Sequence, residues 1–232
     1  MPILVLQEKQ NKIRIVLIAF CLAAFQFVSA QNDFHKELSV GVNGSLMFSS
    51  VSFTPRPLLS QNKLIRAAGG LTVRYISEKN IGLQFELNYS QRGWKECDSE
   101  HPDKRYARAL NYLEFPVFTH LYCTAGKYFR LVTNLGPQIG YLLNEKILEF
   151  NVLEDTENEW KSQYYTQKAQ RRFDWGLCFG GGIEFRTGIG NFILDGRYYY
   201  GLSDIFNNSR ADRFASSSNQ IISVKLTYLF YQ

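Results

Sequence analysis

Bulky apolar residues alternate with small or polar ones through eight separate stretches of this chain. The clearest runs over 81–91, where Ile81, Leu83, Phe85, Leu87 and Tyr89 interleave with Gly82, Gln84, Glu86, Asn88 and Ser90. A period of two held over this length specifies a β-strand whose faces meet two different surroundings. The same reading places strands over about 37–48, 65–76, 106–122, 128–142, 172–186, 191–201 and 220–231. Gly136-Pro137 interrupts the fifth strand. Proline cannot donate to a ladder, so a bulge is expected there.

The connections have their own rhythm. Ser77–Asn80, Thr124–Lys127 and Thr187–Gly190 are short, whereas 49–64, 92–105, 143–171 and 202–219 are long and polar. Short and long links alternating over an even number of strands describe an all-β, eight-stranded antiparallel up-and-down transmembrane β-barrel. Its tight turns and both termini lie on the periplasmic side of a bacterial outer membrane, and its long loops lie outside. After the N-terminal region no segment has 18 consecutive apolar residues, and a membrane protein without helical spans is a closed barrel.

The alternation alone also fits a soluble lipocalin-like barrel with its faces reversed, holding a hydrophobic ligand. Two features favour the membrane form. One phase is bulky and apolar on every strand, while the other mixes glycine with charge, and a narrow eight-stranded lumen has room only for packed side chains. Aromatics also gather near strand ends (Tyr75, Tyr89, Tyr141, Trp175, Tyr198, Tyr200, Tyr228 and Phe230), where interfacial girdles form. The inward charges are then Arg74, Glu86, Glu114, Arg130, Asp174, Glu184, Arg186, Asp195, Arg197 and Lys225. Five are basic and five acidic. Charges removed from water must be paired, so these are expected to form a lumenal network that plugs the barrel.

The N-terminus reads as a targeting segment. Lys9, Lys12 and Arg14 precede an apolar run from about Ile13 to Val28, and Val28-Ser29-Ala30 supplies the small residues of a cleavage site. The run is shorter than the roughly 20 residues of a spanning helix. Residues 1–30 are therefore assigned as a signal peptide cleaved after Ala30, with 31–232 forming one barrel domain. Cys21 follows the bulky Phe20, which argues against lipidation. The whole chain carries +5. Loss of the signal lowers this to +3, too little to suggest a nucleic-acid partner.

Candidate chemistry is sparse. Cys97, Cys123 and Cys178 are an odd set without close spacing, a poor disulfide framework and a poor metal site. Their strand positions, outer loop, periplasmic rim and mid-wall, should keep them apart. His35 and His101 fall outside the strands, and His120 is assigned to the lumen as a structural residue. No G-x-S-x-G or H-E-x-x-H occurs. Ser99, His101 and Asp103 crowd one charged loop and do not form a credible triad. Gly180-Gly181-Gly182 lies inside a strand with no helix after it, so it is read as close packing across the lumen. No catalytic residue, metal ligand or cofactor is assigned. In the third long loop Trp160, Tyr164 and Tyr165 stand among charges, a possible binding surface of the kind loops on rigid scaffolds provide.

Five segments, in order, resemble the PorT-like outer-membrane β-barrel family. They are Phe85-Glu86-Leu87-Asn88-Tyr89-Ser90-Gln91-Arg92-Gly93; Tyr112-Leu113-Glu114-Phe115-Pro116; Leu135-Gly136-Pro137-Gln138-Ile139-Gly140-Tyr141; Asp174-Trp175-Gly176 with Gly180-Gly181-Gly182-Ile183-Glu184; and Arg197-Tyr198-Tyr199-Tyr200-Gly201-Leu202. The end, Leu226-Thr227-Tyr228-Leu229-Phe230, looks like a barrel-assembly signal, although Tyr231-Gln232 follow it. The resemblance implies an integral outer-membrane barrel. The family's namesake works in protein secretion, but no catalytic motif carries over. The resulting expectation is a non-enzymatic barrel with a plugged polar lumen and outer loops for structural or binding roles. Its expected partners are outer-membrane lipid and the barrel-assembly machinery. Participation in a secretion or envelope complex is the alternative.

Overall fold

The computed structural model describes residues 36–54, 60–97, 105–151, 167–207 and 215–230. It contains nine strands: β1 (Glu37–Thr54), β2 (Ser60–Asn62), β3 (Leu64–Glu78), β4 (Ile81–Cys97), β5 (Arg105–Thr124), β6 (Phe129–Asn151), β7 (Phe173–Thr187), β8 (Gly190–Asp204) and β9 (Ser216–Phe230). Leaving β2 aside, neighbours in sequence pair antiparallel. β9 returns to β1 and β4 pairs with β5, so eight strands close on themselves while β2 adds only to the outer end of β4. Closure leaves no free edge at membrane level, and hydrocarbon demands that backbone groups be met within the barrel.

The faces are settled by exposure. Along β4, Leu83 is 43% exposed and Gln84, one residue on, only 1%. The exposed phase is apolar on all eight barrel strands, for example Val40, Leu71, Leu87, Phe115, Leu131, Phe179, Leu194 and Leu226. So continuous an apolar belt is far larger than the patches soluble proteins show. The lipocalin-like alternative, with its apolar phase inward, is therefore excluded. Tyr128, Phe129, Phe185 and Phe230 crowd the periplasmic edge of the belt; Tyr89, Tyr141, Trp175 and Tyr200 crowd the outer edge.

The strands run further outward than the alternation suggested. β1 continues to Thr54 instead of ending near 48, β4 to Cys97, β6 to Asn151, and β9 begins at Ser216. Much of what reads as loop at 49–64, 92–105, 143–171 and 202–219 is strand. Polarity inverts there. On β1 the outward phase passes from Leu38, Val40, Val42, Leu46 and Phe48 to Ser50, Ser52 and Thr54, while Val51 and Phe53 turn inward and are buried. From Leu38 to Phe48 is roughly 34 Å of strand at about 3.4 Å per residue. A tilt near 40° makes that about 26 Å of height, close to the apolar band of an outer-membrane barrel. Beyond it the wall stands in water, and its interior becomes an ordinary hydrophobic core.

Two local expectations are corrected. β6 passes Gly136-Pro137 without a bulge: Gly136↔Cys178 and Pro137↔Leu177 keep the β7 register, and β5 resumes the same register on either side. The missing proline donor interrupts pairing without inserting a residue. The irregularities lie further out, between Ala107 and Arg108 and between Asn111 and Tyr112 of β5. Gly180 and Gly182 answer to the adjacent strand and not to side chains across the lumen. A Cβ at Gly182 would sit 2.0 Å from the Leu194 carbonyl oxygen of β8. The tight turn before β4 is closed by Asn80 at φ 73°, a left-handed conformation asparagine tolerates.

Candidate functional site

The polar phase of the barrel strands converges on the lumen, where it forms levels stacked along the axis. Nearest the periplasm, Arg74 donates from Nη1 and Nη2 to the two oxygens of Glu184, at 2.8 and 3.0 Å. Both side chains are fully buried. This fork-on-fork pairing is the strongest geometry a guanidinium and a carboxylate adopt. Arg130 lies 4.0 Å from the same carboxylate and 3.5 Å from Glu37 at the barrel mouth, with its guanidinium 4.4 Å over the Tyr122 ring. His120 Nδ1 is 2.8 Å from Asn134 Oδ1.

One level out, Glu86 is the hub. It pairs with Arg197 at 3.0 Å and with Lys225, and it accepts from Gln84 at 2.7 Å and Asn88 at 2.9 Å. Arg197 also pairs with Asp195 and stacks 4.9 Å over Phe118. A buried apolar layer of Met47, Phe118, Cys178, Tyr199 and Ile221 lies here.

The outer level centres on Arg92. Its Nε donates to Glu114 at 2.7 Å, Nη1 pairs with Asp174, and the guanidinium is held between the rings of Tyr112 and Tyr199 at 4.9 and 4.6 Å. Tyr199 Oη, Ser203 Oγ and Asn219 Nδ2 donate to Asp174, while Ser90 Oγ and Gln138 Nε2 donate to Glu114. Two carboxylates share one cation here, and neutral donors meet their remaining lone pairs.

A hydrophobic core of Val51, Phe53, Trp94, Tyr106, Leu110, Tyr112, Leu142, Ile205 and Phe206 lies at the outer end of the lumen. Trp94 meets Phe53 edge-on at 5.4 Å and Phe206 at 6.5 Å, and its Nε1 donates to Glu96 at 2.9 Å. Arg108 ties this core to the returning chain, donating to the Gln167 carbonyl at 2.6 Å and lying 3.6 Å from Glu145.

Of the inward charges assigned from sequence, Arg74, Glu86, Glu114, Arg130, Asp174, Glu184, Asp195, Arg197 and Lys225 are buried in these levels. Arg186 is not brought in: it is half-buried at the periplasmic rim and makes no ion pair among the described residues. Sequence reasoning missed Arg92, because the strand was ended at 91. Continuing the period of two through Ser90, Arg92, Trp94 and Glu96 would have found it. Among the described residues no disulfide joins Cys97, Cys123 and Cys178. Cys97 lies on β4 and not in a loop, Cys123 is exposed and Cys178 is buried. Trp160, Tyr164 and Tyr165, and likewise His35, Ser99, His101 and Asp103, lie outside the described residues. Among the described residues no group of three or more His, Cys, Asp or Glu is placed to hold a metal ion.

A family model described as outer membrane protein beta-barrel domain matches residues 29–207. Several solved structures are similar to the chain. Ail, the attachment invasion locus protein of Yersinia pestis, crystallised with the heparin analogue sucrose octasulfate, is 14% identical. The match covers 85% of this chain and 100% of Ail, with a TM-score of 0.42. OprG from Pseudomonas aeruginosa is 11% identical over 84% of this chain and 96% of its own, with a TM-score of 0.48. Neisserial surface protein A is 10% identical over 84% and 99%, with a TM-score of 0.42. No curated protein matches.

Proposed function

The chain belongs to the outer membrane protein beta-barrel domain family, and from that premise we propose that it is a PorT-like, non-enzymatic barrel whose lumen is permanently plugged. The observation that carries this reading is the stacking of the lumen. Two apolar layers, one around Phe118 and one around Trp94, bracket the Arg92 level. An ion crossing the barrel would have to displace both, together with a guanidinium held by two carboxylates. Eight strands leave no spare width for a path around them. The network of Arg74, Glu86, Glu114, Arg130, Asp174, Glu184, Asp195, Arg197 and Lys225 thus serves as a strut and not as a conduit. Work falls to the outer surface, Trp160, Tyr164 and Tyr165 included, in a structural or binding role. Purified protein reconstituted in planar bilayers should show no conductance steps. Ion-selective steps would overturn the plug.

A second reading, membership of a secretion or envelope complex, is favoured by one feature. β6 runs to Asn151, but its pairing with β7 ends at Tyr141↔Phe173. Among the described residues its last stretch is therefore laddered to β5 alone, and an open edge is a template for strand addition. Co-purification of the same envelope protein in mild detergent, lost when a proline replaces Lys146, would support it. On either reading the signal peptide is cleaved after Ala30, and β9 presents Tyr228 and Phe230 to the assembly machinery and then to lipid.

A further inference from the structure

We propose that the periplasmic third of the lumen binds a small inorganic anion, taken up from the periplasmic mouth. The levels differ in how well their polar atoms are met. In the outer level, donors from Arg92, Ser90, Gln138, Tyr199, Ser203 and Asn219 satisfy both carboxylates. One donor, Arg92 Nη2, is left over there, whereas the periplasmic level leaves several. Arg74 Nε, Arg130 Nε and Asn134 Nδ2 are buried donors without an acceptor, and Arg130 Nη1 has only Glu37 at 3.5 Å and Glu184 at 4.0 Å; His120 Nε2, the acceptor nitrogen of the ring when Nδ1 donates to Asn134, is also unmet. All four residues are at least nine-tenths buried. Their side chains project into the same part of the lumen: Arg74 and Arg130 meet on Glu184, and His120 and Arg130 flank the Tyr122 ring. The unmet Oε1 of Gln84, on the register position opposite Arg74, can accept from only part of this set.

Charge runs the same way. Arg74 and Arg130 share Glu184 and Glu37, and Arg186 stands half-buried at the rim without an ion pair among the described residues. Lys79 and Lys127 stand exposed in the turns beside the mouth. Buried N–H groups left unmet cost free energy, and guanidinium forks are the protein groups best shaped for small anions. The layers around Phe118 and Trp94 close the other side, so the site is reached from the periplasm alone. Glu37 occupies Arg130 at that entrance, at 3.5 Å, and competes with the ligand.

The test uses the full refolded barrel in detergent micelles, with arginine Nε–H resonances followed by NMR. Chloride or inorganic phosphate replaces gluconate at constant ionic strength; gluconate serves as the bulky control. Saturable shifts of Arg74 and Arg130 with either small anion are expected. Glu37→Gln should tighten binding several-fold, and Arg130→Gln should abolish it. Shifts no larger than those in gluconate would overturn the proposal and leave water as the occupant. So would an unchanged or weaker affinity in Glu37→Gln. That variant decides the matter alone if Arg130→Gln fails to give the heat-modifiable folded form.

Discussion

Leu83 and Gln84 are adjacent in sequence but face lipid and a packed polar lumen respectively. Leu83→Arg at the middle of the belt should cost about 2–4 kcal/mol of stability in lipid. Gln84→Arg sets a cation beside Glu86 and leaves the lipid face unchanged. Urea unfolding in phospholipid vesicles measures both, and equal tolerance would mean that the faces of β4 are misassigned. Arg92→Met strands Glu114 and Asp174 without their shared cation, for which the expected loss is about 3–5 kcal/mol in the same assay. These positions differ in how legible they were. Gln84, Glu86, Arg74 and Arg197 could be placed from the period of two, because each lies among neighbours of its own phase. Arg92 is harder to see, since Gln91, Gly93 and Lys95 replace the apolar outward phase at that height and only the inward phase carries the period on. Which carboxylate each cation meets depends on contacts across the lumen, as between Arg74 and Glu184, and no local pattern encodes them.

At the scale of strands the lesson is the inversion of polarity at the outer membrane surface. A strand passing from lipid into water must exchange its faces: Ser50, Ser52 and Thr54 turn outward and Val51 and Phe53 inward. Read as one uniform alternation, the pattern appears to end, and the strand is shortened by several residues. The eight barrel strands and their short turns were legible because hydrocarbon enforces a predominantly apolar outward phase on each of them. Trp94→Ala removes the centre of the outer core and should cost about 3–5 kcal/mol. It should leave the bilayer silent, because the Arg92 level still blocks the lumen, and paired unfolding and conductance measurements check both halves. Gly93 belongs to the same end of β4. Its φ of 146° and a Cβ position 1.9 Å from the Arg108 carbonyl oxygen leave no room for a side chain. Gly93→Ala should destabilise by roughly 1–3 kcal/mol, read as a lower unfolding midpoint.

For the whole molecule, each outward apolar strand face is tolerable only because the others complete a ring around which lipid can close, and the charged lumen only because its ions find partners within that ring. An anion resting near the periplasmic mouth fits this plan, since the apolar layers lie further out. The measurement that bears most directly on it is fractionation of the host envelope, followed by electrophoresis of the outer-membrane fraction with and without boiling. A band in that fraction that migrates differently before and after boiling is the expected result, because a closed barrel resists detergent until heated. An unshifted band in the soluble periplasmic fraction would contradict an apolar face turned toward lipid.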